Sequence, residues 1–284
     1  MYLALRAHAM ATERSVQETM ELYVLETFPD RLAQSDQRAN LVLKGGSLLA
    51  VFSARRPTRD VDLYALDLRN DAADVLDRMR RIAATNLDDG LAYETENATA
   101  TFIRESDKYH GVRVTMRPTL ATARLKFHID VNVGDPVYPE PQELAVPRLL
   151  GGSIPVIGYQ LALVYGEKIS AGLEKVAEST RYRDFVDVAN LSSLNPVDGD
   201  DVVKSVRTIA ERHGYLLTSL TTRLEEYAET HQIKYDRWRS TQQLEDSTPD
   251  DFAELVESFI RFADPAVLGT ARGKRWSPES KSWI

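Results

Sequence analysis

The residues best suited to chemistry fall in two short stretches, Lys44-Gly45-Gly46-Ser47 and, a little further on, Thr58-Arg59-Asp60-Val61-Asp62. Asp60 and Asp62 alternate with Val61 and Leu63, the period of a half-buried strand, so both carboxylates emerge on one face and the apolar pair on the other. Two neighbouring acids repel unless a cation lies between them. Hard oxygen donors at this spacing suit Mg²⁺, which keeps several waters and completes its shell with substrate phosphates. The glycines let backbone N–H groups approach an anion closely, and Ser47 adds a hydroxyl donor. Competing motifs fail on inspection. Asp60-x-Asp62 does not open an EF-hand loop, because Ala65 stands where the sharp turn needs Gly. Lys44 precedes its glycines, the reverse of a P-loop. A glycine turn and a solvated strand face explain each stretch singly, but explain the pair poorly.

Other candidates lie downstream. Leu125, Phe127, Ile129, Val131 and Val133 alternate with Lys126, His128, Asp130 and Asn132, which places Asp130 on a polar strand face between His128 and Asn132. A histidine beside an acid serves more often as a hydrogen-bonding neighbour than as a base. Lys168 shares a helical stripe with Leu161, Val164 and Tyr165, where a lysine either snorkels to water or is held against an anion. Asp184 and Asp187 stand among Phe185, Val186, Val188 and Leu191, so they need partners. Arg183, four residues before Asp187, is the simple structural one.

The order Val42-Leu43-Lys44-Gly45-Gly46-Ser47, then Arg56-Pro57-Thr58-Arg59-Asp60-Val61-Asp62-Leu63, resembles the signature of the polymerase-beta-type nucleotidyltransferase superfamily. Within it the chain resembles the AbiEii-type nucleotidyltransferase toxins of type IV toxin–antitoxin systems. Glu167-Lys168-Ile169 and Arg181-Tyr182-Arg183-Asp184-Phe185-Val186-Asp187 are similar to two further motifs of that family. The likeness covers Leu41 to Leu191.

That resemblance implies an α/β protein: an N-terminal nucleotidyltransferase domain with a mixed sheet, residues 1–150, followed by a mostly α-helical domain, residues 151–284, completing the nucleotide cleft. It implies that Asp60, Asp62 and Asp130 hold Mg²⁺ and that Gly46, Ser47 and Lys168 hold the NTP, with Arg212 a further basic residue near the nucleotide. Lys168 and Asp187 would join the three acids as catalytic residues. The acceptor would be the 3′ end of tRNA, whose modification blocks aminoacylation and translation, and a cognate antitoxin would be the partner. Thr58, two positions before the first acid, is a candidate for regulatory phosphorylation, since a dianion there would repel the triphosphate. A small-molecule nucleotidyltransferase and a catalytically silent nucleotide-binding module are the alternatives.

The elements that must position these residues can be read from periodicity. Ala11 to Phe28 reads as an amphipathic helix ended by Pro29-Asp30, with a second helical piece to Gln37. Leu41 to Leu43 reads as a strand end and Leu48 to Phe52 as a helix. Asn70 to Ala84 carries a helical stripe of Val75, Leu76, Met79 and Ile82. Thr101–Ile103 and Val112–Val114 are short strand candidates. Pro136 to Pro155, rich in Pro and Gly, reads as a linker or strand excursion. Helices are expected from Tyr159 to the end.

Composition bounds the rest. Across 284 residues, 43% hydrophobic and 27% charged content is that of a globular protein. The absence of cysteine excludes disulfides, thiolate metal sites and thiol nucleophiles. With no apolar stretch of spanning length and no hydrophobic leader, a cytoplasmic location is the simplest expectation. A net charge of −8 opposes extended contact with nucleic acid, although basic residues gather at Arg55-Arg56-Arg59, at Arg78-Arg80-Arg81, between Lys108 and Lys126, and near the C-terminus.

Overall fold

The computed structural model describes residues 1–53, 58–66, 68, 71–103, 111–174 and 182–284. Arg55, Arg56, Lys108 and Arg181, which figured in the sequence reading, lie outside them. Packing divides the chain into two units, one formed by Met1–Asp135 with Pro141–Tyr159 and the other by Pro136–Glu140 with Gln160–Ile284.

The first unit contains helices α1 (Tyr2–Ala11) and α2 (Val16–Ala33), strand β1 (Leu41–Lys44), the short helix α3 (Gly45–Leu48), strand β2 (Asp60–Ala65) and helix α4 (Ala72–Ala83). Strands β3 (Leu91–Tyr93), β4 (Thr99–Ile103), β5 (Gly111–Met116), β6 (Pro118–Leu120), β7 (Ala123–Arg124), β8 (Phe127–Val133), β9 (Gln142–Pro147) and β10 (Ser153–Gly158) follow. Among the described residues the main sheet has seven strands in the order β4-β5-β8-β2-β1-β10-β9. It is mixed: β2 runs parallel to β8 and β1 to β10, while the other pairs are antiparallel. Alternation decides which face is which. Val61, Leu63, Val112, Val114, Ile129 and Val131 are fully buried, leaving the intervening polar residues of β2, β5 and β8 together on the other face.

Two sequence expectations change here. The first concerns Pro29, which does not end its helix; α2 runs on to Ala33. Ser15 caps its start by accepting from the Glu18 N–H. An interior proline costs about 3 kcal/mol, but Leu22 through Leu32 are all buried, with Arg31 paired to Asp89 and Asp30 to Arg148. Tertiary burial on this scale outweighs the local preference. The second concerns Pro136–Pro155. It is no simple linker: β9 and β10 pair as a hairpin, and β10 joins the sheet beside β1. The division between units therefore falls after Tyr159 and not after residue 150, and the five residues Pro136–Glu140 pack with the second unit.

The second unit carries α5 (Leu161–Glu174), α6 (Tyr182–Leu194), α7 (Gly199–His213), α8 (Thr221–Gln242), α9 (Phe252–Leu268) and the strands β11 (Trp276–Ser277) and β12 (Ser282–Trp283). Its core is aromatic, with Tyr182, Phe185, Tyr227, Tyr235, Phe252 and Phe259 in mutual edge or stacked contact. The terminal hairpin was not expected, because two-residue strands carry no readable alternation. It is fastened by its tryptophans: the Trp276 indole N–H donates to the Ser192 carbonyl at 2.7 Å and that of Trp283 to the Phe262 carbonyl at 3.0 Å. Among the described residues no helix is long and apolar enough to cross a membrane.

Candidate active site

Strand register assembles the acidic site of the first unit. Lys44 on β1 stands opposite Asp62 on β2, Asp62 opposite Asp130 on β8, and Asp130 opposite Arg113 on β5. Residues in register share a face, so four adjacent strands present the row Lys44, Asp62, Asp130, Arg113, with charges plus, minus, minus, plus. A parallel row two residues away contains Asp60, His128 and Thr115. The expected meeting of Asp60, Asp62 and Asp130 on one face is what the sheet delivers.

Their pairing differs from the expectation. Arg113 grips Asp130 bidentately, Nε to Oδ1 at 2.7 Å and Nη2 to Oδ2 at 2.6 Å, and the same Nη2 lies 3.6 Å from Asp60 Oδ2. The hydrogen bonds to Asp130 outweigh partial burial and hold the guanidinium pKa well above its ordinary value, with Asp60 and Asp62 adding to the effect. Asp130 is thus engaged by an arginine, which the sequence reading did not foresee. Among the described residues no set of three His, Asp or Glu side chains converges as a metal site. Asp60 and Asp62 remain a two-carboxylate donor set, which is what Mg²⁺ requires when waters and phosphates supply the rest of its shell. His128 Nδ1 lies 2.9 Å from Thr115 Oγ1. Burial, and then the charge of Arg113, push its pKa below the usual histidine value, so the ring is neutral at pH 7.

The glycine turn fits closely over this row. Gly45 opens α3 in the left-handed region, φ +62°, and a Cβ at this position would run into the Asp62 carboxylate. Gly46 is buried behind it. The Ser47 hydroxyl donates to the Asp60 carbonyl at 3.3 Å, and the Thr58 hydroxyl reaches the same carbonyl at 3.5 Å. Both hydroxyls sit beside the first acid.

The second unit holds the other cluster. Lys168 on α5 donates to Asp184 Oδ1 at 3.1 Å and to Asp187 Oδ2 at 2.6 Å, both on α6. The Asp187 side chain is 3% exposed and that of Lys168 12%. The lysine therefore supplies the partner that Asp187 needed, while Arg183 on the outer face reaches Gln242 at 2.7 Å. Arg212 stands exposed in the last turn of α7, where a cation offsets the helix dipole.

Two charged residues of the first row were given no role by the sequence reading. Arg113 lies in a recognised strand, between Val112 and Val114, and that alternation was the signal for a polar-face residue. Lys44 is 9% exposed, with Nζ 5.3 Å from the centre of the Tyr159 ring. Its partner comes from the distant β10 end and has no local signature.

Comparison with known proteins points in one direction. The family described as "Nucleotidyl transferase AbiEii toxin, Type IV TA system" matches residues 29–267. Among solved structures, the nucleotidyltransferase toxin MenT4 of Mycobacterium tuberculosis is similar with a TM-score of 0.58 at 15% identity, covering 94% of this chain and 89% of that one. The protein JHP933 of Helicobacter pylori is similar with a TM-score of 0.51 at 13% identity, covering 90% and 96%. At such identities these likenesses speak to fold. No curated protein matches the chain in sequence.

Proposed function

Since the chain belongs to the AbiEii family of nucleotidyl transferase toxins of type IV toxin–antitoxin systems, we propose that it transfers a nucleoside monophosphate from an NTP to the 3′ end of tRNA, blocking aminoacylation and translation. The observation that carries this reading is the pair Asp60 and Asp62 on one strand face with Gly45 closed over Asp62. In the reaction, the acceptor 3′-hydroxyl oxygen forms a bond to the α-phosphorus while the bond to the bridging oxygen breaks and pyrophosphate leaves. Asp60 and Asp62 would hold Mg²⁺, which supplies charge neutralisation on the phosphates as the leaving group departs. In the first unit Gly46 and Ser47 bind the triphosphate; in the second Asp187 orients Lys168, the candidate catalytic lysine, and Arg212 is a further basic candidate. Asp130 accepts the hydroxyl proton. A cognate antitoxin counters the activity.

The test is incubation of the protein with total tRNA, Mg²⁺ and each labelled NTP separately, beside an Asp60→Ala control. Label on tRNA with one or two of the nucleotides, lost in the control and without Mg²⁺, is the expected result. The net charge of −8 favours one competing reading, a small-molecule acceptor. Label that stays off RNA but passes to a small alcohol would establish that reading instead.

A further inference from the structure

Arg113 is more than a neighbour of the acids. Its guanidinium occupies both oxygens of Asp130 and reaches Asp60, so one cationic group spans two of the three carboxylates on this face of the sheet. Its side chain is 37% exposed, against 13% for Asp130, so the fork has water on one side and is not sealed into the core. An arginine fork matches phosphate oxygens as well as it matches a carboxylate, and it keeps its charge at any accessible pH. A divalent cation on Asp60 and Asp62 would repel a guanidinium 3.6 Å from Asp60 Oδ2.

We propose that Arg113 is a nucleotide ligand held in reserve: it pairs with Asp130 and Asp60 while no metal is bound, and it passes its fork to the triphosphate when a divalent cation takes Asp60 and Asp62. This rests on the metal assignment made above. The exchange has two effects. The two acids stay neutralised without metal, so the strand face does not carry bare like charges. Metal and nucleotide arrival then turns an Asp130 oxygen toward the acceptor hydroxyl, which makes proton acceptance conditional on a loaded site. Metal and Arg113 compete for the carboxylates, whereas nucleotide and Arg113 cooperate.

Competition and cooperation have opposite signs, and both can be measured without turnover. Mn²⁺ binding to the full chain is followed by the electron paramagnetic resonance of free Mn²⁺, first without nucleotide. Binding of an α,β-methylene NTP analogue is then measured with Mn²⁺ saturating. Arg113→Gln is expected to tighten Mn²⁺ binding about tenfold, by removing a like charge beside the ion, and to weaken the analogue about tenfold. Arg113→Lys keeps the charge without the fork, so it is expected to weaken the analogue while moving Mn²⁺ little. If Arg113→Gln leaves both affinities unchanged, or weakens Mn²⁺, Arg113 only props Asp130 and the proposal falls. Thermal melting shows whether that variant folds; where it does not, an unchanged analogue affinity in Arg113→Lys overturns the proposal by itself. Asp60→Asn separates the two levels. Mn²⁺ binding that this variant leaves intact, or that wild type lacks, removes the metal assignment and the exchange with it. Binding lost in Asp60→Asn but indifferent to Arg113 removes the exchange alone.

Discussion

Gly45 combines a left-handed backbone with a neighbour, the Asp62 carboxylate, that fills the space of a Cβ. Either fact alone disfavours a side chain, and together they make Gly45→Ala the sharpest single-residue test of the site. It is expected to cost more than about 1 kcal/mol of stability and, by displacing Asp62, about a hundredfold in transfer rate; melting curves and initial rates check both. A folded Gly45→Ala with ordinary activity would show that Asp62 need not sit where it does. Thr58 offers a second test. Its hydroxyl reaches the Asp60 carbonyl at 3.5 Å, so a charge at that position falls beside the first acid. Thr58→Glu should abolish transfer while leaving the melting temperature near wild type, and Thr58→Val should keep most of the activity. Equal activity in the two variants would leave phosphorylation at Thr58 without a mechanism.

Helices α5 and α6 are joined by one lysine and two aspartates, and the burial of Asp187 sets the energy at stake. Lys168→Met takes the ammonium away from a carboxylate that is 3% exposed, an expected loss of about 3 kcal/mol. The pair Lys168→Met with Asp187→Leu should recover most of that loss in denaturant titrations yet stay inactive. Recovered transfer in the double variant would reduce this cluster to a structural ion pair. The same cluster shows how far sequence reading reaches. Lys168 could be singled out because a cation on an apolar stripe is locally anomalous, and the need of Asp187 for a partner was legible from its apolar neighbours. That the two needs answer each other was not, because helix packing is not written in either helix. The sheet repeats the lesson. Period-2 alternation placed Asp60, Asp62 and Asp130 on polar faces, since a strand's faces follow from its own residues. Arg113 could not be matched to Asp130 without the register of β5 on β8. Pro29 misled for the complementary reason, a local rule overridden by burial that only the folded chain reveals.

At the scale of the molecule, 43 acidic against 35 basic residues set the terms on which an RNA can be bound. With so acidic a chain, contact with the proposed tRNA acceptor should be confined to a few phosphates. Binding is then expected to weaken with salt along a log–log slope between about −1 and −3. A slope steeper than about −5, from filter binding across a salt series, would require an extended basic surface. Chain connectivity matters at this scale too. Pro136–Glu140 packs with the helical unit although sheet residues flank it on both sides. There the Tyr138 hydroxyl donates to Asp201 at 3.0 Å, and its ring lies 3.8 Å from the ammonium of Lys204. Removing both contacts with Tyr138→Ala should cost the full chain about 1–2 kcal/mol, measurable by urea titration; no change would make the segment a passive tether. Heredity feels the same stitch. A recombination with a single breakpoint after Tyr159 would transplant α5 to β12 into a relative, but would leave residue 138 to the recipient. The graft would then depend on whatever that lineage carries opposite Asp201 and Lys204, so the two units descend most safely as one.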